Sequence, residues 1–218
     1  MLFSREAWTG LSWLLLQRTA RRALASDQPL TSRAYRSYES YVAHQRSKLS
    51  LLNLTEYDHA FRAALVERLK AQNWRGKSVL CLAARIGTEV KAFHDVGAFA
   101  VGIDLNPGKE NSWVLTGDFH HLVFPDRSVD SVYCNALDHA LDLGKTVKEI
   151  RRVLKPGGTL ITDAQQGAEK VAFDAWAATS WRSVDDLANA IVGHGMRLVS
   201  RLDISEPWPG EQLTFMTD

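Results

Sequence analysis

The stretch Val79-Leu80-Cys81-Leu82-Ala83-Ala84-Arg85-Ile86-Gly87-Thr88-Glu89-Val90, followed by Val101-Gly102-Ile103-Asp104, decides the reading of this chain. An apolar run opens into a tight turn and then a helix. A second apolar run ends in an acid 17 residues beyond Gly87. This is the frame of a nucleotide-type site: turn backbone and a helix N-terminus face the ligand, and a carboxylate takes a ribose diol. The turn departs from the usual pattern, because Ala83 and Arg85 stand where such loops carry glycine and only Gly87 remains.

Working outward, strands and helices alternate from Gly76 onward. Apolar runs predict strands over 79–82, 100–105, 112–116, 129–134, 159–163, 197–204 and 212–217. Helical periodicity predicts helices over 87–96, 143–154, 168–178 and 184–193, with Gly97 and Lys155-Pro156-Gly157-Gly158 as stops. Alternating β and α with apolar strands indicates an α/β fold with a mainly parallel sheet covered on both faces. Residues 1–72 read as helical and differ in character from 73–218, so the chain divides into an N-terminal extension and an α/β unit. Within the extension, Ser26-Asp27-Gln28-Pro29 breaks the pattern, and Tyr35, Tyr38 and Tyr41 recur as a packing seam. Thr55 and Asp58 resemble a capping pair for a helix that places Phe61, Leu65 and Leu69 on one face.

Composition narrows the function classes. The 218 residues carry a net charge of +1, which gives no reason to expect a nucleic acid or other polyanionic partner. Residues 1–48 are at +5 and the remainder at −4. The basic side chains Lys145, Lys148, Arg151, Arg152 and Lys155 read as one solvated helix face. Two cysteines, Cys81 and Cys134, exclude a disulfide framework and a four-thiolate zinc site, and their apolar surroundings suit buried, reduced thiols in a cytoplasmic protein. No stretch reaches the roughly 18 apolar residues of a spanning helix. The apolar segment 7–16 lacks a signal-peptide n-region and cleavage site. Its two tryptophans and basic trailing end allow peripheral membrane contact through residues 1–25; they equally allow a helix packed on this domain or on a partner, or an organelle-targeting segment.

In an open parallel sheet the ligand lies beyond the carboxyl ends of the strands. Here four strand ends in series carry notable residues: Cys81 to Gly87, Asp104-Leu105, Asp118-Phe119 and Asn135 to His139. Together with Phe124-Pro125-Asp126-Arg127-Ser128-Val129-Asp130 and Glu149-Ile150-Arg151-Arg152-Val153-Leu154-Lys155-Pro156-Gly157-Gly158, they resemble the class I S-adenosylmethionine-dependent methyltransferases, in particular the small group with a Leu-x-His box after the fourth strand. The resemblance covers roughly residues 74–218. It implies a Rossmann-like, doubly wound, seven-stranded and mostly parallel sheet with an antiparallel last strand. It also implies S-adenosylmethionine as cofactor.

The family's first turn reads acid-x-Gly-x-Gly-x-Gly. Cys81 therefore occupies the acid position, and Ala83, Arg85 and Gly87 the glycine positions. By the same resemblance Asp104 would hold the ribose hydroxyls, Leu105 would lie beside the adenine, and Asp118 in Gly117-Asp118-Phe119 would accept from the adenine amine. Asn135 would bond the cofactor or the strand end. An alanine at a positive-φ glycine position costs on the order of 1 kcal/mol. Arg85 could clamp the cofactor carboxylate or pair with Glu89 one turn on.

Methyl transfer needs acceptor and methyl held in line, and a base where the acceptor is a hydroxyl. His139, with Asp138, is the candidate base, against a purely structural role at the strand end. His120 and His121 could border the acceptor site, one pointing inward and the other to solvent. No ligand spacing supports a metal. Two readings follow. One is a methyltransferase acting on a small-molecule, sugar- or lipid-linked acceptor, with the N-terminal helices as a lid. The other is a non-catalytic scaffold with weakened cofactor binding. The survival of Asp104, Asp118 and the Leu137-Asp138-His139 box favours the enzyme. Neither the acceptor nor the oligomeric state follows from the sequence.

Overall fold

The computed structural model describes residues 28–47, 55–166 and 176–218. The apolar segment 7–16 and most of the helix expected at 168–178 lie outside the described residues. In chain order the elements are β1 (Leu30–Ser32), α1 (Tyr38–Arg46), α2 (Thr55–Leu69), β2 (Ser78–Leu82), α3 (Thr88–Asp95), β3 (Phe99–Asp104) and β4 (Val114–Thr116). They continue with β5 (Val129–Cys134), α4 (Leu143–Val153), β6 (Leu154–Gln165), β7 (Thr179–Trp181), α5 (Val184–Gly193), β8 (Arg197–Ile204) and β9 (Gly210–Met216).

Seven strands form one sheet in the order β4-β3-β2-β5-β6-β9-β8. The first five are mutually parallel, and β9 runs antiparallel between β6 and β8. This is the expected α/β architecture with an antiparallel last strand. From β2 the chain builds to one side through β3 and β4, then returns to build β5 and β6 on the other. The reversal opens a crevice at the carboxyl ends of β2 and β5, where open α/β sheets take their ligands.

Period-two alternation sorts the strand residues onto two faces. Leu80, Leu82, Val132 and Leu160 pack with Val147 and Ile150 of α4 and Leu187 and Ile191 of α5. Val79, Cys81, Tyr133 and Ile161 pack on the opposite face with Phe61, Leu65 and Leu69 of α2 and Val90 and Phe93 of α3. Each such side chain contributes about 1.5–3 kcal/mol by leaving water. Helix α2 thus belongs to the layer that covers the sheet. The Asp58 carboxylate accepts from the Thr88 hydroxyl at the start of α3 and lies 3.5 Å from Lys91 Nζ.

Two features depart from the sequence reading. The segment read as helical before residue 38 contains strand β1, which pairs antiparallel with β7, Leu30 opposite Trp181 and Ser32 opposite Thr179. The strand expected to start at 159 begins directly after α4 at Leu154, with a register shift opposite Val129–Ser131 that absorbs the Pro156-Gly157-Gly158 turn. The charged residues of that motif are mostly committed. Arg152 donates to the carbonyls of Leu122 and Phe124 and pairs with Glu149 and Asp126, while Glu149 also accepts from the Leu122 amide. They staple the 122–127 loop to α4, so Arg152 is no part of a purely solvated face.

Candidate cofactor and active site

Strand β2 delivers the turn Ala83–Gly87 to the crevice. Ala83 and Arg85 adopt left-handed φ values of 53° and 42°, and Gly87 caps α3 at 83°. The fold therefore demands glycine-like conformations at all three positions, and two of them bear the strain of a side chain. Gly87 is further required because a Cβ there would lie 2.6 Å from Trp113 Cβ.

A cleft of about 40 Å3 sits at this edge. Ala83, Arg85, Asp104, Leu105, Phe119 and His139 line it, together with Tyr41, Gln45 and Asn106. Asp104 faces the cleft from the end of β3. Its carboxylate accepts from the backbone amides of Arg85 at 3.0 Å and Asn106 at 2.7 Å, which ties the first turn to the second. Phe119 is buried and stacks on His120, with ring centroids 4.7 Å apart.

His139 sits on a 3-10 turn (Leu137–His139) after β5 and is 8% exposed. Its Nδ1 lies 3.0 Å from the Trp176 carbonyl, which can only accept, so Nδ1 carries the proton and Nε2 is the basic nitrogen of the neutral ring. Asp138 Oδ1 is 3.9 Å from Nε2, close enough to stabilise the charged ring.

A smaller recess of about 20 Å3 adjoins the cleft between the ends of β2 and β5, sharing Ala83 and Arg85 with it and closed by Thr88, Glu89 and Asn135. Glu89 is 5% exposed. Burial pushes its carboxyl up to about 8, and Oε2 has no hydrogen-bond partner. The Arg85–Glu89 pair is not formed: among the described residues no cation lies within 4 Å of that carboxylate.

Two sequence expectations are corrected. Cys81 does not line the cleft; it is 0% exposed in the α2–α3 face of the sheet, where burial holds its thiol well above the usual range. The strand alternation that buries Leu80 and Leu82 on one face sends Cys81 to the other. Asp118 does not open into the cleft either. Its carboxylate accepts from the Tyr38 hydroxyl and from the His120 amide and Nδ1. Burial raises this group, but the bonds from His120 and Tyr38 outweigh it and hold the carboxyl at about 2. Gly87 stands at the N-cap of α3, where the turn backbone is expected to face a ligand. His120 is the histidine that points inward, as expected of one of the two: it is 4% exposed and its Nε2 accepts from the amides of Leu141 and Asp142. His121 points to solvent, as one of the two histidines was expected to.

Sequence reasoning missed Tyr41, Gln45 and Asn106. Helix α1 lies across the cleft, with Tyr41 fully buried and its hydroxyl donating to the His139 carbonyl at 3.0 Å. Gln45 donates to the Trp176 carbonyl, Arg46 Nε to the Leu105 carbonyl, and Asn106 Nδ2 to the Arg46 carbonyl. The tyrosine row does pack as a seam, with Tyr41 edge-on to Tyr35 at 5.4 Å. Its regular spacing was the one signal that could have pointed to the cleft. Among the described residues no group of three or more His, Cys, Asp or Glu could hold a metal, and no helix is long and apolar enough to cross a membrane.

The fold and this crevice are those of an open α/β sheet with a ligand cleft at its switch point. A family model described as "Methyltransferase domain" matches residues 80–162. The chain is 34% identical over 103 residues to malonyl-[acyl-carrier protein] O-methyltransferase 1 of Coxiella burnetii, a match covering 44% of this chain and 36% of that protein. It is 53% identical over 57 residues to sterol 24-C-methyltransferase of Aspergillus fumigatus, covering 23% of this chain and 15% of that protein. The chain thus spans well under half the length of these curated relatives. Among solved structures, the 1,6-didemethyltoxoflavin-N1-methyltransferase of Burkholderia thailandensis, with bound S-adenosylhomocysteine, superposes with a TM-score of 0.68 at 16% identity, over 89% of this chain and 98% of that one. Residues 80–162 thus match a methyltransferase domain, and the chain shares the fold of solved S-adenosylmethionine-dependent methyltransferases.

Proposed function

We propose that this chain is a methyltransferase that uses S-adenosylmethionine and transfers the methyl group to a hydroxyl of a small-molecule, sugar- or lipid-linked acceptor. The observation that carries this reading is the convergence of Asp104, Leu105, Phe119 and His139 on one cleft at the carboxyl edge of the sheet. The residues fit an adenosyl group: an acceptor carboxylate lies at the end of β3, apolar side chains flank it, and the turn after β2 adjoins. When bound, the cofactor supplies an activated methyl on a sulfonium that is its own leaving group.

The chain's part is then positional and protolytic. Asp104 would hold a diol while bracing the first turn. His139 Nε2, set by the Trp176 carbonyl on the other ring nitrogen, would take the acceptor proton, with Asp138 stabilising the imidazolium. Tyr41 and Gln45 would keep water out from above, so residues 28–47 would serve as the lid. The names of the three relatives span oxygen, carbon and nitrogen acceptors, so the acceptor atom is set outside the shared core. A base of this kind favours hydroxyl over carbon chemistry.

The competing reading, a scaffold with weakened cofactor binding, draws on the side chains at Ala83 and Arg85 and the loss of the acid at Cys81. Calorimetric titration with S-adenosylmethionine and S-adenosylhomocysteine separates the two. Binding that drops at least about tenfold in Asp104→Asn supports the enzyme, as expected where one charge-assisted contact is lost. Silence up to millimolar ligand leaves the scaffold. With binding secured, His139→Ala should lower kcat by about 100-fold or more with cofactor affinity unchanged.

A further inference from the structure

The recess beside the cleft holds a group that the methyl-transfer reading leaves unused. Glu89 sits in the first turn of α3, 5% exposed, with Oε2 sealed from water and unpartnered. A buried carboxyl without donors is costly, and such a group persists where a ligand completes it. Arg85 lines both recess and cleft, so a buried carboxyl on α3 and a basic residue on the preceding turn flank the same opening, four residues apart. An anion would meet Glu89 and Asp104 unfavourably, and an apolar group would leave Oε2 orphaned. A small zwitterion, with an ammonium and a carboxylate on adjacent atoms, satisfies both ends.

We propose that Glu89 is the receptor for the α-ammonium of the cofactor's amino-acid end, with Arg85 facing the α-carboxylate, so that the first turn of α3 supplies the negative charge missing at Cys81. This rests on the reading of the cleft as an S-adenosylmethionine site. The turn after β2 has Cys81 locked into the opposite face of the sheet, and Glu89 stands eight residues on, where α3 brings it back to the carboxyl edge. Thr88, its neighbour, is held by Asp58, which fixes the start of α3 and hence the direction of the Glu89 side chain. Glu89 is a positioning residue for the cofactor and takes no part in the chemical step.

The test compares two ligands on the full chain: S-adenosylhomocysteine and its analogue lacking the α-amino group, each titrated by calorimetry into wild type and Glu89→Gln. Wild type should bind the amino compound about thirty-fold or more tighter, the size expected of a desolvated charge pair. In Glu89→Gln that preference should fall below about threefold, with affinity for the deaminated analogue changed by less than about threefold. A wild type that does not discriminate overturns the proposal, whatever the folding of the variant. So does a variant that weakens both ligands equally or neither. If wild type binds neither ligand, the cofactor reading itself falls, and this inference with it.

Discussion

The Tyr38 hydroxyl donates to the Asp118 carboxylate, fastening helix α1 to the segment after β4. The carboxylate that the family resemblance assigns to the adenine amine is thus already taken by a group from the covering helix, and by His120 as well. A ligand amine must displace the tyrosine to use it. Tyr38→Phe removes that competitor and should tighten S-adenosylhomocysteine by about three- to tenfold, the worth of one hydrogen bond to a charged acceptor net of exchange. Unchanged affinity would mean the adenine amine is read elsewhere.

The same bonds make stability depend on pH. The Asp118 carboxyl is held at about 2 in the folded protein, below its ordinary value near 4. A depressed carboxyl contributes stability that is fully present above the unfolded value and is lost as pH falls through the folded one. The contribution, up to about 2 kcal/mol, should therefore disappear between about pH 4 and pH 2. Urea midpoints across that window should fall more steeply in wild type than in Asp118→Asn.

Ala83 and Arg85 hold positive φ values that glycine accepts without strain. Ala83→Gly and Arg85→Gly should each raise stability by about 0.5–1 kcal/mol, read as a higher denaturant midpoint at constant slope. Arg85→Gly should at the same time weaken S-adenosylhomocysteine, because it removes the guanidinium from the cleft wall. Strain and binding then separate in one pair of variants.

On the opposite side of the sheet, Asp163 is 4% exposed and accepts from Arg68, from Tyr133 at 2.7 Å and from Gln212 at 2.8 Å. Burial pushes its carboxyl up and the Arg68 guanidinium pulls it back. Arg68→Met strands that charge and should cost about 3–5 kcal/mol in urea unfolding, whereas Arg68→Met with Asp163→Leu should recover most of the loss.

Much of this was legible in the residues. The apolar runs at 79–82 and 129–134 and the helix at 184–193 match the observed strands and helix closely, because period and stop signals are local. Asp104 at the end of β3 and His139 after β5, read from strand-end position and family motif together, do line the cleft. The ribbon of β1 and β7 was not legible: a three-residue strand has no period, and its partner lies far along the chain. Cys81 and Asp118 were placed by motif alignment, which records order along the chain and not which way a side chain points.

The sequence by itself determined the α/β class and the strand ends where a ligand would lie, since both rest on local pattern. Only the tertiary structure decided that Tyr41 roofs the cleft, that Asp118 is spoken for, and that Glu89 is buried without a partner. Those outcomes depend on which distant side chains the sheet brings together, and on how much water their packing excludes.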